Sequence, residues 1–203
     1  MGDNLTLHAY LLAAGVDHRL IEVAGEARTA AAAAEQLGVG LGAIVKSLVC
    51  VAGDETVIVL VPGDRELSLT RLERALQVTH ARLASRREVE AATGYPVGGV
   101  APLAHPRVLP VLGDDSLCAL DVVYCGGGTH HHMLQITVRD LERLAAVRWQ
   151  TLTAGTDLSA GPRATDCPGP SAGPGANDCP GSSAGPGAAD DPQPPQPGAG
   201  TLI

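Results

Sequence analysis

The run Lys46-Ser-Leu-Val-Cys-Val-Ala-Gly-Asp-Glu-Thr-Val-Ile-Val-Leu-Val61 decides the centre of the fold. Two apolar, β-branched stretches, residues 47–51 and 56–61, flank Gly53-Asp54, and this combination is typical of a β-hairpin. Neither stretch alternates with polar residues, which indicates strands that are covered on both faces. The hairpin is therefore predicted to lie in the middle of a sheet.

Helix and strand patterns are interspersed on both sides of this hairpin. Hydroxyl side chains that can cap helices stand at Thr29, Ser68, Ser85 and Thr137, and the last two are followed three residues later by an acid, as in a capping box. Further strands are predicted over residues 18–23, 79–83, 107–112, 119–124 and 133–136. The sequence therefore predicts an α+β fold, a single domain around a mixed, largely antiparallel sheet flanked by helices.

The composition changes after Gln150. From Thr151 onward the chain consists mainly of Gly, Pro, Ala, Ser, Asp and Thr, and the run from Asp166 to Ala176 reappears nearly unchanged from Asp178. Such a segment buries too little apolar surface to offset its chain entropy. Residues 1–150 are predicted to form one domain, and residues 151–203 a disordered, acidic tail rich in Gly, Pro, Ala and Ser.

Charge and aromatic content restrict the partners. The net charge is −8, the chain holds three Tyr, one Trp and no Phe, and base stacking is therefore nearly unavailable. We expect no DNA partner, and any RNA contact to be local. No apolar run approaches the roughly 20 residues of a membrane span, so no membrane partner is expected. The cysteines of the domain form no CxxC pair and no signal peptide is evident, which favours a reducing, cytoplasmic location.

Two features could hold an oxygen-rich ligand. Lys46 is the only lysine among 14 basic residues; either chance left it there, or a site requires a compact ammonium that Arg cannot replace. The run Gly94-Tyr-Pro-Val-Gly-Gly-Val-Ala-Pro102 predicts a stiff loop with exposed N–H groups. The same run is equally compatible with a plain tight connection.

The run Cys125-Gly-Gly-Gly-Thr-His-His-His132 leaves several interpretations open. His130 and His132 can share one side of a strand, and with Cys125 they are donors of the kind zinc prefers, although no fourth ligand stands at a typical spacing. A nucleophilic Cys125 beside a histidine is a second interpretation, and a buried core cysteine is a third. Walker, HExxH, GxSxG and dinucleotide-binding motifs do not occur.

Several short motifs follow one another between residues 5 and 147: Arg28-Thr-Ala, Ile44-Val-Lys-Ser-Leu, Leu60-Val-Pro-Gly-Asp, the run from Gly94 to Pro102, Asp114-Asp-Ser-Leu and the glycines before a strand and terminal helix. In this order they resemble the YbaK/prolyl-tRNA synthetase editing-domain family. The resemblance implies a free-standing deacylase that hydrolyses the ester of a mischarged tRNA, most readily one resembling tRNA-Pro. No cofactor and no metal are implied, and the expected partners are the acceptor end of an aminoacyl-tRNA and an aminoacyl-tRNA synthetase.

The resemblance also assigns the site. Lys46 would hold the terminal nucleotide, and the N–H groups of the loop from Gly98 to Pro102 would surround the ester while water attacks, assisted by the substrate itself. The expected catalytic residues are Lys46, Gly98, Gly99 and Pro102. The expected substrate-binding residues are Gly94, Tyr95, Gly127, Gly128, His130 and His132. Arg82, Arg86 and Arg87 are either contacts to the acceptor stem or a solvated helix start.

Two other function classes stay open at this point. In one, the editing fold is a non-catalytic module that binds tRNA, a synthetase or a small ligand. In the other, the protein is a metal-dependent hydrolase that uses Cys125 and the histidines. Loss of activity with a chelator would indicate the second of these.

Overall fold

The computed structural model describes residues 2–24 and 29–154. Within these ranges the chain forms five α-helices and eight strands. The helices are α1 (Asn4–Ala13), α2 (Ala30–Leu37), α3 (Leu69–Leu76), α4 (Arg86–Thr93) and α5 (Val138–Ala145). The strands are β1 (Arg19–Glu22), β2 (Val45–Ala52), β3 (Glu55–Pro62), β4 (Ala81–Leu83), β5 (Val111–Asp114), β6 (Val122–Gly126), β7 (His132–Thr137) and β8 (Arg148–Gln150).

The strands form two sheets. The larger has the order β4-β2-β3-β5-β8, and the smaller has the order β1-β7-β6. The β2–β3 hairpin lies in the middle of the larger sheet, and Ala52 pairs with Glu55 across its turn. Strands β5 and β8 add in parallel, whereas the other pairs are antiparallel. The predicted α+β fold with a mixed sheet is confirmed.

The division into two sheets is a difference from the single predicted sheet. The sheets meet where Ile44 forms an isolated parallel bridge with Tyr124. Strand β8 was not predicted, because three residues carry too little pattern to be recognised alone. Strand β5 begins four residues later than predicted, since Pro110 lacks an N–H and Val108 is fully exposed.

The helix boundaries follow local capping chemistry. Ser85 and Glu88 form the predicted capping box at the start of α4, and Thr137 accepts the Asp140 N–H at the start of α5. Gly38 and Gly94 end α2 and α4 in the left-handed conformation, which glycine adopts without strain. In the part of the chain that the structure describes, no helix is both long and apolar enough to span a bilayer.

The packed structure extends past the boundary at residue 150 that composition suggests. Leu152 and Thr153 are 0% and 1% exposed, and their N–H groups donate to Asp114 Oδ2 at 3.0 and 2.8 Å. Residues 151–153 are called the C-terminal strap below. The tail predicted to be disordered lies, from residue 155 onward, outside the described residues.

Asp114 makes a pH-dependent contribution to stability. Burial alone would raise the pKa of this carboxyl, but hydrogen bonds from Ser116, Thr153 and Leu152 outweigh burial and hold the pKa below its usual 3.8. The contribution is therefore present above about pH 4 and is lost as the pH falls through the lowered pKa. Asp114→Asn is expected to lower the free energy of unfolding by about 3 kcal/mol at pH 7.

Urea unfolding at pH 7 and at several acidic values measures this effect. The wild-type protein should approach the stability of the variant as the pH falls below 3.8. A wild-type excess in stability that stays constant down to pH 2 would contradict the assignment.

Candidate functional site

A cavity of about 720 Å³ lies beside the first half of β2. Its walls are the start of α2, strand β2, the residues joining β4 to α4, the loop of residues 97–100, Gly126 at the end of β6, and Met133 in β7. Most of the lining side chains are aliphatic, and the cations are Lys46 and Arg86. Arg28, from the motif that precedes α2, is outside the described residues.

One wall of the cavity is an open strand edge. Strand β4 pairs with β2 only from Cys50 to Ala52, and the Ala84 N–H donates to the Val49 carbonyl at 2.9 Å. Residues Val45 to Leu48 pair with β3 on one side and border the cavity on the other. Backbone polar groups along such an edge are available to a ligand.

Lys46 lies on this wall, half-buried. Its Nζ donates to the carbonyl oxygen of Gly63 at 3.4 Å and to that of Arg65. None of the ion pairs among the described residues involves Lys46. Among the described residues, the ammonium is therefore held by backbone oxygens and its charge is not neutralised by a carboxylate.

The loop from Gly98 to Pro102 forms the facing wall. Gly98 adopts φ +92° and lines the cavity together with Val100, while Pro102 is buried. The Gly99 N–H donates to the Pro96 carbonyl at 2.9 Å, so the expectation that it faces a ligand is corrected. Within the described residues, the N–H groups of Gly98 and Val100 make no hydrogen bond. Because both residues line the cavity, their N–H groups are available to a ligand.

Gly126 allows the backbone of this loop to pack closely against the end of β6. This residue was not among the expected site residues. A Cβ on Gly126 would lie 2.3 Å from the Val100 carbonyl oxygen, and one on Gly99 would lie 2.7 Å from the Thr129 carbonyl carbon. The Gly128 N–H donates to the Gly99 carbonyl at 3.0 Å. The two glycine runs therefore pack backbone against backbone, a contact that only glycine permits.

Gly127 and Gly128 were expected to contact the substrate, and the structure places them elsewhere. Neither residue lines the cavity. A Cβ on Gly127 would meet the backbone of His132 at 2.7 Å, and one on Gly128 would meet that of Asp3 at 2.8 Å. Both glycines therefore allow close packing away from the cavity.

Tyr95 and Gly94 also lie away from the cavity. Tyr95 is 0% exposed, and its hydroxyl donates to the Leu103 carbonyl at 3.0 Å; burial raises its pKa to about 12. Gly94 ends α4, and its carbonyl accepts the Gly2 N–H at 3.1 Å. The expectation that Tyr95 and Gly94 contact the substrate is therefore corrected. The large, mainly apolar side chain of Tyr95 is buried and anchors the loop, and Gly94 ends α4.

The two predicted pocket histidines differ. His130 is exposed, with Nδ1 3.3 Å from where a Cβ on Gly98 would lie, so it stands at the rim beside the loop. His132 is half-buried, and its ring nitrogens contact Thr129 Oγ1 at 2.6 Å and Asn4 Nδ2 at 3.2 Å. His132 therefore ties the loop after β6 to the start of α1 and does not line the cavity.

Cys125 does not have the environment of a nucleophile. Its side chain is fully buried, and burial raises its pKa to about 12, so the thiolate is scarce at neutral pH. Among residues 2–24 and 29–154, no group of three His, Cys, Asp or Glu side chains is placed to share a metal ion. The core interpretation of Cys125 agrees with this geometry.

Thiol labelling tests that burial. Cys50, whose pKa burial also raises to about 12, and Cys125 are expected to resist iodoacetamide at pH 8 in the folded protein. Both should react fully in about 6 M guanidinium chloride, because unfolding exposes the thiols to solvent, where the reactive thiolate can form. Peptide mass spectrometry identifies each labelled cysteine, and rapid labelling of folded Cys125 would restore the nucleophile interpretation.

The three arginines expected near the acceptor stem, Arg82 in β4 and Arg86 and Arg87 at the start of α4, have different surroundings. Arg82 is paired with Glu88, with Nη2 2.6 Å from Oε1. Arg86 lines the cavity and has no ion-pair partner among the described residues. Arg87 is exposed and is not part of the cavity lining.

His105 is a supporting residue that no sequence motif marks. Its Nε2 contacts the Ala101 carbonyl at 2.9 Å, and its ring stands edge-on to Tyr95 at 5.8 Å. Burial lowers its pKa, which favours a neutral ring whose Nε2–H donates to that carbonyl. His105 therefore holds the far end of the Gly98 to Pro102 loop.

Fold and site together define an α+β domain whose cavity offers a backbone strand edge, a glycine-rich loop and one ammonium. Comparisons with known proteins show which family has this domain. The family model described as the aminoacyl-tRNA editing domain matches residues 24–144. The chain belongs to this family.

The relatives support the assignment. The chain is 35% identical over 132 residues to proline–tRNA ligase of Acidithiobacillus ferrooxidans (63% of this chain, 23% of the relative). It is 37% identical over 134 residues to that of Solidesulfovibrio magneticus (65% and 22%). The chain thus spans less than a quarter of the ligases it matches.

Two solved structures match over nearly their whole length. One, described as a candidate trans-editing enzyme for prolyl-tRNA synthetase, has a TM-score of 0.71 at 31% identity over 75% of this chain and 97% of its own. Another, described as hypothetical protein APE2540, has a TM-score of 0.69 at 31% identity over 73% and 99%.

Proposed function

We propose that the protein is a trans-editing deacylase that hydrolyses the ester of mischarged tRNA, with tRNA-Pro-like substrates preferred. The observation that carries the proposal is the convergence of Lys46, the open edge of β2 and the Gly98 to Pro102 loop on one cavity. Its volume of about 720 Å³ suits a nucleoside that carries an amino acid. The cytoplasm, where charged tRNA is used, is the proposed location.

The chemistry proposed for the site relies on positioning. The ester carbonyl would accept the N–H groups of Gly98 and Val100, which are otherwise unpaired within the described residues. A preorganised donor at a developing oxyanion is worth about 3 kcal/mol. Water would attack the carbonyl with help from the substrate's own hydroxyl, because the buried Cys125 is not a competent nucleophile.

The remaining groups would bind the tRNA end. The Lys46 ammonium would contact the terminal ribose or phosphate, and Arg86 would contact a neighbouring phosphate at the cavity rim. Pro102 and His105 would keep the loop stiff, and His130 would border the entrance. A prolyl-tRNA synthetase is a proposed partner, since the matched ligases carry the same domain.

Incubation of the purified protein with a panel of mischarged tRNAs tests the proposal. Release of the amino acid that is unaffected by a chelator and lost in Lys46→Ala supports it. Binding of tRNA without turnover on any substrate would instead indicate a non-catalytic module, and inhibition by the chelator would indicate metal-dependent hydrolysis.

Arg86→Ala is expected to raise KM for the tRNA substrate about tenfold with little change in kcat, the loss of one charge-assisted contact. Arg87→Ala is the matched control, because it removes the neighbouring charge outside the cavity. Initial rates over a range of tRNA concentrations measure both. Equal effects of the two substitutions would mean that only the general charge of this surface matters.

A further inference from the structure

Among the described residues, the hydrogen-bond acceptors of the Lys46 ammonium are backbone carbonyls of one loop. The loop of residues 63–68 joins β3 to α3, and its Gly63 and Arg65 carbonyls accept from Nζ. Lysine has a flexible four-carbon stem, so these two carbonyls decide where the charge stands. Because both acceptors are backbone atoms, the position of Lys46 depends on the conformation of this loop.

The C-terminal strap holds that loop from the other side. The Ser68 N–H donates to the Leu152 carbonyl at 2.9 Å, and Leu67 forms an antiparallel bridge with Thr153. Leu152 is fully buried in a cluster that Leu67 packs against. The loop is therefore paired with the strap at its α3 end and with Lys46 at its β3 end.

Asp114 joins the strap to the loop. This carboxylate is 0% exposed. Its Oδ2 accepts the N–H groups of Leu152 and Thr153 in the strap, and its Oδ1 accepts the Ser116 N–H and hydroxyl. The same Oδ1 lies 3.8 Å from Arg65 Nη1. A buried carboxylate is tolerated only when its oxygens are satisfied in this way.

We propose that Asp114 is a positioning residue for Lys46, acting through the C-terminal strap and the loop of residues 63–68. The carboxylate fixes the strap, the strap fixes the loop, and the loop carbonyls fix the ammonium at the cavity wall. The C-terminal end of the fold is thereby coupled to the site. The catalytic consequence rests on the proposed function, whereas the structural coupling does not.

The single lysine makes the coupling directly observable. Protein grown with ¹³C-labelled lysine has one Lys46 side-chain signal, because the chain holds no second lysine. Asp114→Asn is expected to shift or broaden the signal of the ε-methylene group. Ending the chain at Gln150, which removes the strap, should change the signal in the same way, while a chain that ends at residue 154 should keep it.

Asp140→Asn is the matched control. Asp140 is also a hydrogen-bonded carboxylate, which accepts the Thr137 hydroxyl at 2.7 Å and pairs with Arg143 at the start of α5. Its hydrogen bonds and ion pair among the described residues involve neither the strap nor the loop of residues 63–68. If Asp114→Asn fails to fold, Ser116→Ala, which keeps the carboxylate and removes one donor, is expected to give a smaller shift of the same kind.

Activity provides the second measurement. Asp114→Asn is expected to lower kcat/KM on mischarged tRNA by about tenfold, since a displacement near 1 Å can cost up to about 100-fold, while Asp140→Asn should stay within about twofold. An unchanged Lys46 signal in folded Asp114→Asn and Ser116→Ala would overturn the coupling. A shifted signal in a protein that hydrolyses no tRNA would retain the coupling and reject the proposed function.

Discussion

Lys46→Ala is expected to lower kcat/KM on a mischarged tRNA by about 100-fold, or close to 3 kcal/mol of transition-state stabilisation. The reason is that Lys46 supplies the ammonium in a cavity whose other walls are mostly aliphatic. Its charge is not neutralised by a carboxylate among the described residues. Single-turnover hydrolysis and tRNA binding, measured separately, divide the loss between chemistry and affinity.

Two variants complete this test. Lys46→Arg is expected to recover only part of the loss, because a planar guanidinium does not fit the acceptors of a compact ammonium. Arg139→Ala removes an exposed positive charge from α5 and should leave kcat/KM within about twofold of the wild type. Full activity of Lys46→Ala would remove this lysine from the mechanism.

Gly126→Ala is expected to reduce both stability and activity. The added Cβ would lie 2.3 Å from the Val100 carbonyl oxygen, a backbone atom that cannot rotate away. The loop must therefore move, at a cost of about 1–3 kcal/mol in unfolding free energy. The Gly98 and Val100 N–H groups would move with it, and a shift near 1 Å is expected to cost about 100-fold in kcat.

Gly40→Ala is the control for that substitution. No atom lies within 4 Å of a Cβ at Gly40, and its φ of −64° suits any residue. Urea unfolding and deacylation rates of the two variants are compared side by side. Wild-type stability and rate in Gly126→Ala would show that the loop has more freedom than this packing allows.

Much of the fold was predictable because its causes are local. The β2–β3 hairpin followed from two apolar runs and Gly53-Asp54, and the capping box at Ser85 from two side chains three residues apart. Motif order indicated the family, which the comparison confirms. The two-sheet arrangement and β8 escaped prediction, since both depend on pairing between distant segments.

The candidate site was predictable only in part. The structure brings Lys46, Gly98 and the Val100 region of the predicted loop to one cavity. It buries Tyr95, engages the Gly99 N–H with Pro96 and turns Gly127 and Gly128 away. Glycine-rich runs have the same composition whether they face a ligand or another backbone, so sequence could not separate these uses.

The amino-acid sequence by itself determined the N-caps of α2 to α5, the central hairpin and the family. These depend on side chains near one another along the chain, where propensity and periodicity act. Tertiary structure alone decided that Gly126 seats the loop, that Arg86 and not Arg82 faces the cavity, and that Asp114 anchors residues 151–153. Each of these depends on distances between segments far apart in sequence, which are set when the two sheets pack.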